Sequence, residues 1–366
     1  MQIQAAVTEY KGAEFALVPL QLEAPRDNEV LVRMISSGVC QTDLHARDQL
    51  DPVPLPAVLG HEGAGVVETV GRGVAMIEPG DHVVLTFGSC GSCGMCERGR
   101  PSYCGHFYAH NFSGARPDGT TPLSRAGHAV QGAFFGQSSF ATYAVVPERN
   151  VVKVDEAAPL QLLGPLGCGI QTGAGAVLNA LRPEVGTSLA VFGAGSVGLS
   201  AVMAAVVAGC TTIAVVDLNE NRLKLARELG ATHTLNAPQG GTVEGLRDLA
   251  AGPGLDFALD TTGIPAVFRS AVDALAVGGV CGLIGGSPPG TEVSLDMESL
   301  LFGRTVRGIV EGDSIPRSFI PKLVQLHREG RFPFDKLIKT YPFADINQAV
   351  EDSESGTTVK PVLTFA

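Results

Sequence analysis

From Val185 to Val216 the chain runs thirty-two residues without a charged side chain. A stretch that apolar has few ways to fold. It exceeds the roughly 20 residues that cross a bilayer as a helix. Five glycines interrupt it, however, at 186, 193, 195, 198 and 209. Between them the apolar pattern divides into "SLAVF", a glycine turn, "LSAVMAAVVA" and "TIAVVD". A strand, turn, helix and second strand buried in a parallel sheet carry equally little charge, because helices cover both faces of such a sheet. A buried βαβ unit is therefore expected here, not a membrane span.

The turn in that unit reads G-A-G-S-V-G. Gly193 permits the tight turn, Gly195 lets a pyrophosphate approach the backbone, and Gly198 lets helix and strand pack closely. With Ser196 and Val197, these residues open a helix whose first N–H groups face an anion. The second strand ends on Asp217, nineteen residues after Gly198. A carboxylate there accepts hydrogen bonds from ribose hydroxyls and repels a 2′-phosphate, which favours NAD over NADP. Arg222 either reaches the same ribose or is a solvated helix residue.

Alternation continues downstream with "LDFALDTTG", "IPAVFRSAVDAL" and "GGVCGLIGG", the pattern of a doubly wound parallel sheet. The first 150 residues differ. Short strands broken by Gly and Pro, such as "EVLVRMISSGV", "GAGVVETVG" and "FATYAVVP", suggest a barrel-like β domain. Residues 105–139 read as one long loop lying over something. At 366 residues the chain calls for more than one core. A net charge of −11 argues against nucleic acid, which needs clustered Lys and Arg. The opening "MQIQAAVTEYKG" lacks a basic start followed by an apolar core, so a cytoplasmic location is expected.

Four of the eight cysteines lie in "GSCGSCGMCERGRPSYCG", residues 88–105. Cys90, Cys93, Cys96 and Cys104 match the closed four-thiolate site of structural zinc, and iron–sulfur clusters use other spacings. A catalytic zinc needs about three ligands and an open position. "GVCQTDLH" offers Cys40, Asp43 and His45, "GHEGAG" offers His61 and Glu62, and "GPLGCG" offers Cys168. On their own residues these remain a loose set, with buried Cys and capped His as the alternatives. Cys210 and Cys281 read as small buried hydrophobes.

"GVCQTDLH", "LGHEGAGVVETVG", "PGDHVV", the four-cysteine lobe, "GCGIQTGAGA", "GAGSVGLSA" and "VVDLNENRL" follow one another in the order of the zinc-dependent medium-chain alcohol dehydrogenases. The chain resembles that family throughout. "FFGQSSFATYAVV", "LLGPLGCGIQTGAGAVLN", "FIPKLVQLHREGRFPFDKLI" and "YPFADINQAVEDSESG" are similar to its bacterial aryl-alcohol (benzyl alcohol) branch. The resemblance implies an α/β protein with a Rossmann doubly wound parallel sheet plus a GroES-like, β-rich catalytic domain. Residues 1–168 would form the catalytic domain with its lobe at 88–105, residues 169–308 the dinucleotide-binding domain, and 309–366 a return to the catalytic domain.

By the same resemblance Cys40, His61 and Cys168 hold a catalytic zinc, making two zinc ions per subunit. Glu62 becomes a transient fourth ligand or a charge beside the metal, with a buried carboxylate paired with a base as the alternative, and Asp43 the acceptor for the second ring N–H of His61. Thr42 and His45 form a proton relay from the alcohol oxygen to water. Thr172 packs on the nicotinamide, and Lys360 is a cationic contact to the cofactor phosphates. Gln41 departs from the basic residue several members use to grip the pyrophosphate. The implied activity is NAD- and zinc-dependent oxidation of primary benzylic alcohols to aldehydes. The alternatives are an allylic or terpenoid (geraniol-like) alcohol dehydrogenase and, remotely, a non-catalytic binding protein on the same fold. Phe87, Phe107, Phe112, Phe134 and Phe140 are available to line the substrate pocket. The expected partners are the alcohol and aldehyde and a second copy of the chain, as homodimer or homotetramer, with no nucleic acid or membrane.

Overall fold

The computed structural model describes residues 1–237, 242–250 and 252–365. Two compact units divide the chain. One comprises Met1–Cys168, Ile315–Gln325 and Leu337–Ala366, the other Gly169–Ser314 and Leu326–Lys336. The segment 309–366 is therefore shared between the units and does not return whole to the first. The helix Pro316–Arg328 spans the change, and no loop signal marks it.

The second unit is built on a six-stranded parallel sheet. Its order across the sheet is His233–Asn236, Thr212–Asp217, Ser188–Phe192, Leu255–Asp260, Leu275–Leu283 and Thr305–Gly308. Every adjacent pair is parallel. Numbered along the chain, the order is 3-2-1-4-5-6, the doubly wound arrangement whose chain direction switches beside the first strand. Ser188–Phe192 is buried at every position, which accounts for its uncharged sequence. Gly193 adopts φ +96°, and a Cβ on Gly198 would stand 1.8 Å from the Gly193 carbonyl oxygen. The helix Ser196–Ala208 can start so close to the strand only because both positions are glycine. Among the described residues no helix is long and apolar enough to cross a membrane.

The first unit holds two largely antiparallel sheets. Glu29–Gly38 is the central strand of the larger one, pairing with Gly63–Val70, Tyr143–Pro147 and Lys360–Thr364. The last pairing draws residues near the C-terminus to the end of the strand that leads into Cys40. The stretch 105–139 is not a single loop. It contains the helix Phe107–Asn111, the strand pair Leu123–Arg125 and His128–Val130, and the turn Phe134–Gly136. Elements of three to five residues are too short to show a period in sequence.

Candidate active site

Strand Glu29–Gly38 delivers Cys40 to the start of helix Gln41–Arg47, where Cys40 is the N-cap residue. His61 and Glu62 immediately precede strand Gly63–Val70, and Cys168 follows the short helical turn Gly164–Gly167. One donor atom from each of Cys40, His61, Glu62 and Cys168 lies within 4.8 Å of all the others. Residues spread over 129 positions thus converge where three elements begin or end.

Asp43 organises this convergence. It is fully buried, and one carboxylate oxygen accepts from His61 Nδ1 at 2.8 Å and from the Gly60 N–H at 3.0 Å. The other accepts from the Cys40 N–H at 3.0 Å. Nδ1 is thereby a donor, and Nε2 is left buried with no hydrogen-bond partner. A buried imidazole nitrogen in that condition is costly unless something occupies it.

The charges show what the cluster is suited to hold. Cys40 is drawn well below the usual thiol range by its hydrogen bond with Cys168, against the opposing effect of burial and with help from Lys360 and His61. Burial penalises a charged His61, yet Asp43 and Cys40 outweigh it and hold the ring well above its usual value. Thiolates beside an imidazole that attracts positive charge fit a divalent cation, which replaces the proton. Two sulfurs and one nitrogen at one point are the donor chemistry of zinc.

Lys360 requires a correction. Expected at the cofactor phosphates, it is 2% exposed and donates to both Glu62 carboxylate oxygens at 3.0 and 2.9 Å and to the Val39 carbonyl at 3.1 Å. All three of its N–H donors are engaged. Burial opposes its charge, but Glu62 and Cys40 keep it protonated above its ordinary value. Burial holds the Glu62 carboxyl above its ordinary value, and Lys360 opposes that rise without cancelling it. With Nζ this close to both oxygens the pair is ionised.

The second cluster is the lobe. Cys90, Cys93, Cys96 and Cys104 also bring their sulfurs within 4.8 Å of one another. Backbone N–H groups point at them: Cys90 at Cys104 Sγ, Cys93 at Cys90 Sγ and Gly105 at Cys93 Sγ, each at 3.3 Å. Such donors, chiefly from Cys96 and Gly105, bring Cys93 down to about 6. Four sulfurs fit a closed tetrahedral zinc site.

The remaining predicted residues fall as follows. Thr42 Oγ1 is 3.9 Å from Cys40 Sγ. His45 lies one turn further along the same helix, with Nδ1 3.3 Å from Asp51 Oδ2. Asp51 had no sequence signal beyond its six-residue distance. In the other unit, Asp217 accepts from the Ala194 N–H at 2.6 Å and the Asn219 N–H at 2.8 Å. That anchors its carboxylate at the glycine turn and leaves acceptor sites on both oxygens. Arg222 Nε is buried without a partner. Thr172 donates to Glu311 at 3.3 Å, and Gln41 is exposed. Cys281 belongs to the buried core, where burial raises its thiol to about 12.

Of the five phenylalanines, Phe134 and Phe140 are fully buried in the core, and Phe140 packs edge-on to Phe15 at 5.5 Å. Phe107 and Phe112 are only partly buried. Phe135, which sequence reasoning passed over, stacks on the His61 ring at 4.5 Å with 30° between planes. It also meets Phe112 at 5.1 Å and Phe107 at 6.4 Å.

Comparison with known proteins gives the family. Residues 26–156 match the alcohol dehydrogenase GroES-like domain family, and residues 196–328 match the zinc-binding dehydrogenase family. A geraniol dehydrogenase from Castellaniella defragrans is 49% identical over 99% of this chain and 97% of its own. The crystal structure of an alcohol dehydrogenase zinc-binding domain protein from Burkholderia ambifaria superposes with a TM-score of 0.98 at 55% identity, covering 100% of this chain and 99% of its own. That of benzyl alcohol dehydrogenase from Acinetobacter calcoaceticus gives 0.97 at 48%, covering 100% of both chains.

Proposed function

This chain belongs to the zinc-binding alcohol dehydrogenases, and from that premise we propose that it reversibly oxidises primary benzylic alcohols to aldehydes with NAD. The observation that carries the substrate class is the group of rings beside His61. Phe107, Phe112 and Phe135 form a continuous cluster of rings with the imidazole, and Phe87 joins it through Phe107 at 6.2 Å. Phe107 and Phe112 are its partly exposed members and the ones open to a substrate, whereas Phe87 and Phe135 are buried. A planar unsaturated group beside the CH₂OH matches such a surface by offset or edge-on stacking. The 49% identity to a geraniol dehydrogenase favours a second reading, an allylic terpenoid alcohol, which shares the unsaturated carbon but not the ring.

Cys40, His61 and Cys168 would hold one zinc ion, and the four lobe cysteines a second. Zinc at the first site supplies a Lewis acid for the alcohol oxygen, and the dinucleotide supplies the hydride acceptor. Asp43 fixes the His61 tautomer so that Nε2 faces the metal site. Thr42, beside Cys40, accepts the hydrogen bond of the alcohol. His45 lies three residues later, on the same face of the helix, and moves the proton outward. Asp51 holds His45 Nδ1 as the donor and leaves Nε2 to accept. Asp217 selects NAD, since a 2′-phosphate would meet its carboxylate. Glu62, bound by Lys360, is a charge beside the metal.

A second copy of the chain completes the proposal. Strand Thr305–Gly308 is the edge of its sheet, and Val277, Met297, Leu301 and Phe302 are exposed near it at 68, 83, 82 and 58%. An apolar sheet edge of this kind pairs with its own copy, and sedimentation would report the assembly.

The deciding experiment is NADH formation with benzyl alcohol, geraniol and ethanol. Benzyl alcohol should exceed ethanol in kcat/KM by about 100-fold, roughly 2.7 kcal/mol. Geraniol ahead of benzyl alcohol by about tenfold selects the second reading, and ethanol on a par with both overturns the aromatic assignment.

A further inference from the structure

The turn Phe134–Gly136 and the residues after it pack beside His61 without supplying any of the four donor atoms there. The turn from Phe134 to Ser138 has three residues in the left-handed region: Phe135 at φ +50°, Gly136 at +64° and Ser138 at +49°. L side chains are uncommon there, and a buried phenylalanine rarer still. Such backbone persists only where surrounding contacts over-determine it, and it clusters at functional sites.

The contacts that hold the turn converge on His61. Gln137, 1% exposed, donates from Nε2 to the His61 carbonyl at 2.9 Å and accepts the Gly63 N–H on Oε1 at 3.1 Å. The Ser139 N–H donates to the Gly60 carbonyl at 2.9 Å. The chain is therefore gripped on both sides of the ligand. The ring is gripped as well, with Phe135 stacked at 4.5 Å and Phe134 edge-on at 5.6 Å and 88°. The turn is itself anchored. Ser138 Oγ accepts the Phe134 N–H at 2.9 Å and donates to the Val58 carbonyl at 2.7 Å. Asn150 Nδ2 donates to the Phe135 carbonyl at 3.1 Å.

Asp43 alone does not immobilise the imidazole. One hydrogen bond at Nδ1 selects the tautomer but permits the ring to tilt about that bond. A stacked ring on one face opposes the tilt, and Gln137 prevents the backbone from following. We propose that Phe134–Ser138 is a clamp for the metal ligand His61, with Phe135 and Gln137 as its positioning residues. They hold Nε2 in one direction so that the metal stays bound. The proposal rests on the assignment of His61 as a ligand.

The test uses the zinc-loaded protein and follows zinc release to a chromogenic chelator. The variants are Phe135→Leu, Phe135→Tyr and Gln137→Ala, with His61→Ala as reference. Two release phases are expected from the unsubstituted protein, one for each cluster. Phe135→Leu and Gln137→Ala should speed the catalytic-site phase by about 10- to 100-fold, the size of effect of groups that orient metal ligands, and leave the lobe phase unchanged. Phe135→Tyr, which keeps the stacked ring, should restore the slow phase. In cobalt-substituted protein the visible bands of the catalytic site should shift in Phe135→Leu and not in Phe135→Tyr. A role in packing alone would lower the melting temperature with both the release rate and the bands unmoved, and that result overturns the clamp. A His61→Ala variant that still binds two zinc ions overturns the ligand assignment itself. If Gln137→Ala does not fold, the comparison of Leu with Tyr at position 135 decides.

Discussion

The two clusters that could hold a metal each draw four donor atoms within 4.8 Å of one another, but by opposite means. The lobe takes all four cysteines from fifteen consecutive positions and holds its sulfurs with backbone N–H groups from within that stretch and from the next residue, Gly105. The cluster around His61 takes its ligands from distant parts of the chain. It holds them with side chains that are themselves buried: Asp43, Gln137 and Lys360. A local site can form once its own turn forms. A non-local one exists only after the sheets of the first unit have closed. The lobe therefore suits a staple, whereas the other cluster can orient donors individually, as chemistry needs.

His61→Ala gives the sharpest break between the two. Turnover should fall by three to four orders of magnitude, about 4–5.5 kcal/mol of barrier, while one zinc remains in the lobe. Steady-state kinetics together with a metal count check this, and retention of both ions would erase the distinction.

Lys360→Met is expected to affect folding. It leaves Glu62 buried beside two sulfurs without its cation, a loss of about 3–5 kcal/mol, measurable by denaturant unfolding. If stability is kept and cofactor affinity falls, the lysine is a phosphate contact after all. Cys93→Ser should mainly lower stability, by about 2–3 kcal/mol, with residual activity per folded molecule preserved. A normal melt with lost turnover would exchange the roles of the two clusters.

Asp43→Asn should weaken zinc at the His61 site about 10- to 100-fold and not in the lobe, as read by competition with a chelator. The smallest effect is expected away from both clusters. Asp217→Ser should relax the preference for NAD over NADP by about tenfold, roughly 1.4 kcal/mol; an unchanged kcat/KM ratio for the two cofactors would remove that role.

How much was legible follows the same division. The glycine turn and the charge-free run around it announced the parallel sheet, because burial on both faces leaves a local trace in composition. The lobe announced itself by spacing. Cys40, His61 and Cys168 become a set only through family resemblance, since no local signal ties residues spread over 129 positions. Lys360 was misplaced because its partner Glu62 lies 298 residues away and is reached only through the strand pairing of Lys360–Thr364 with Glu29–Gly38. Phe135 and Gln137 stood in plain view within "FFGQSSF", but nothing in those letters indicates a left-handed phenylalanine stacked on a ligand.

Local chemistry thus determined the fold class, the dinucleotide turn with its Asp217, and the four-thiolate lobe, because each depends on neighbours a few residues apart. Tertiary structure alone decided that these donors meet around His61, that Lys360 pairs with Glu62, and that the turn at 134–138 packs against His61. The physical reason is that buried charges and orphaned donors find their partners across sheets. Those partners come from register and packing, neither of which is written in any one segment.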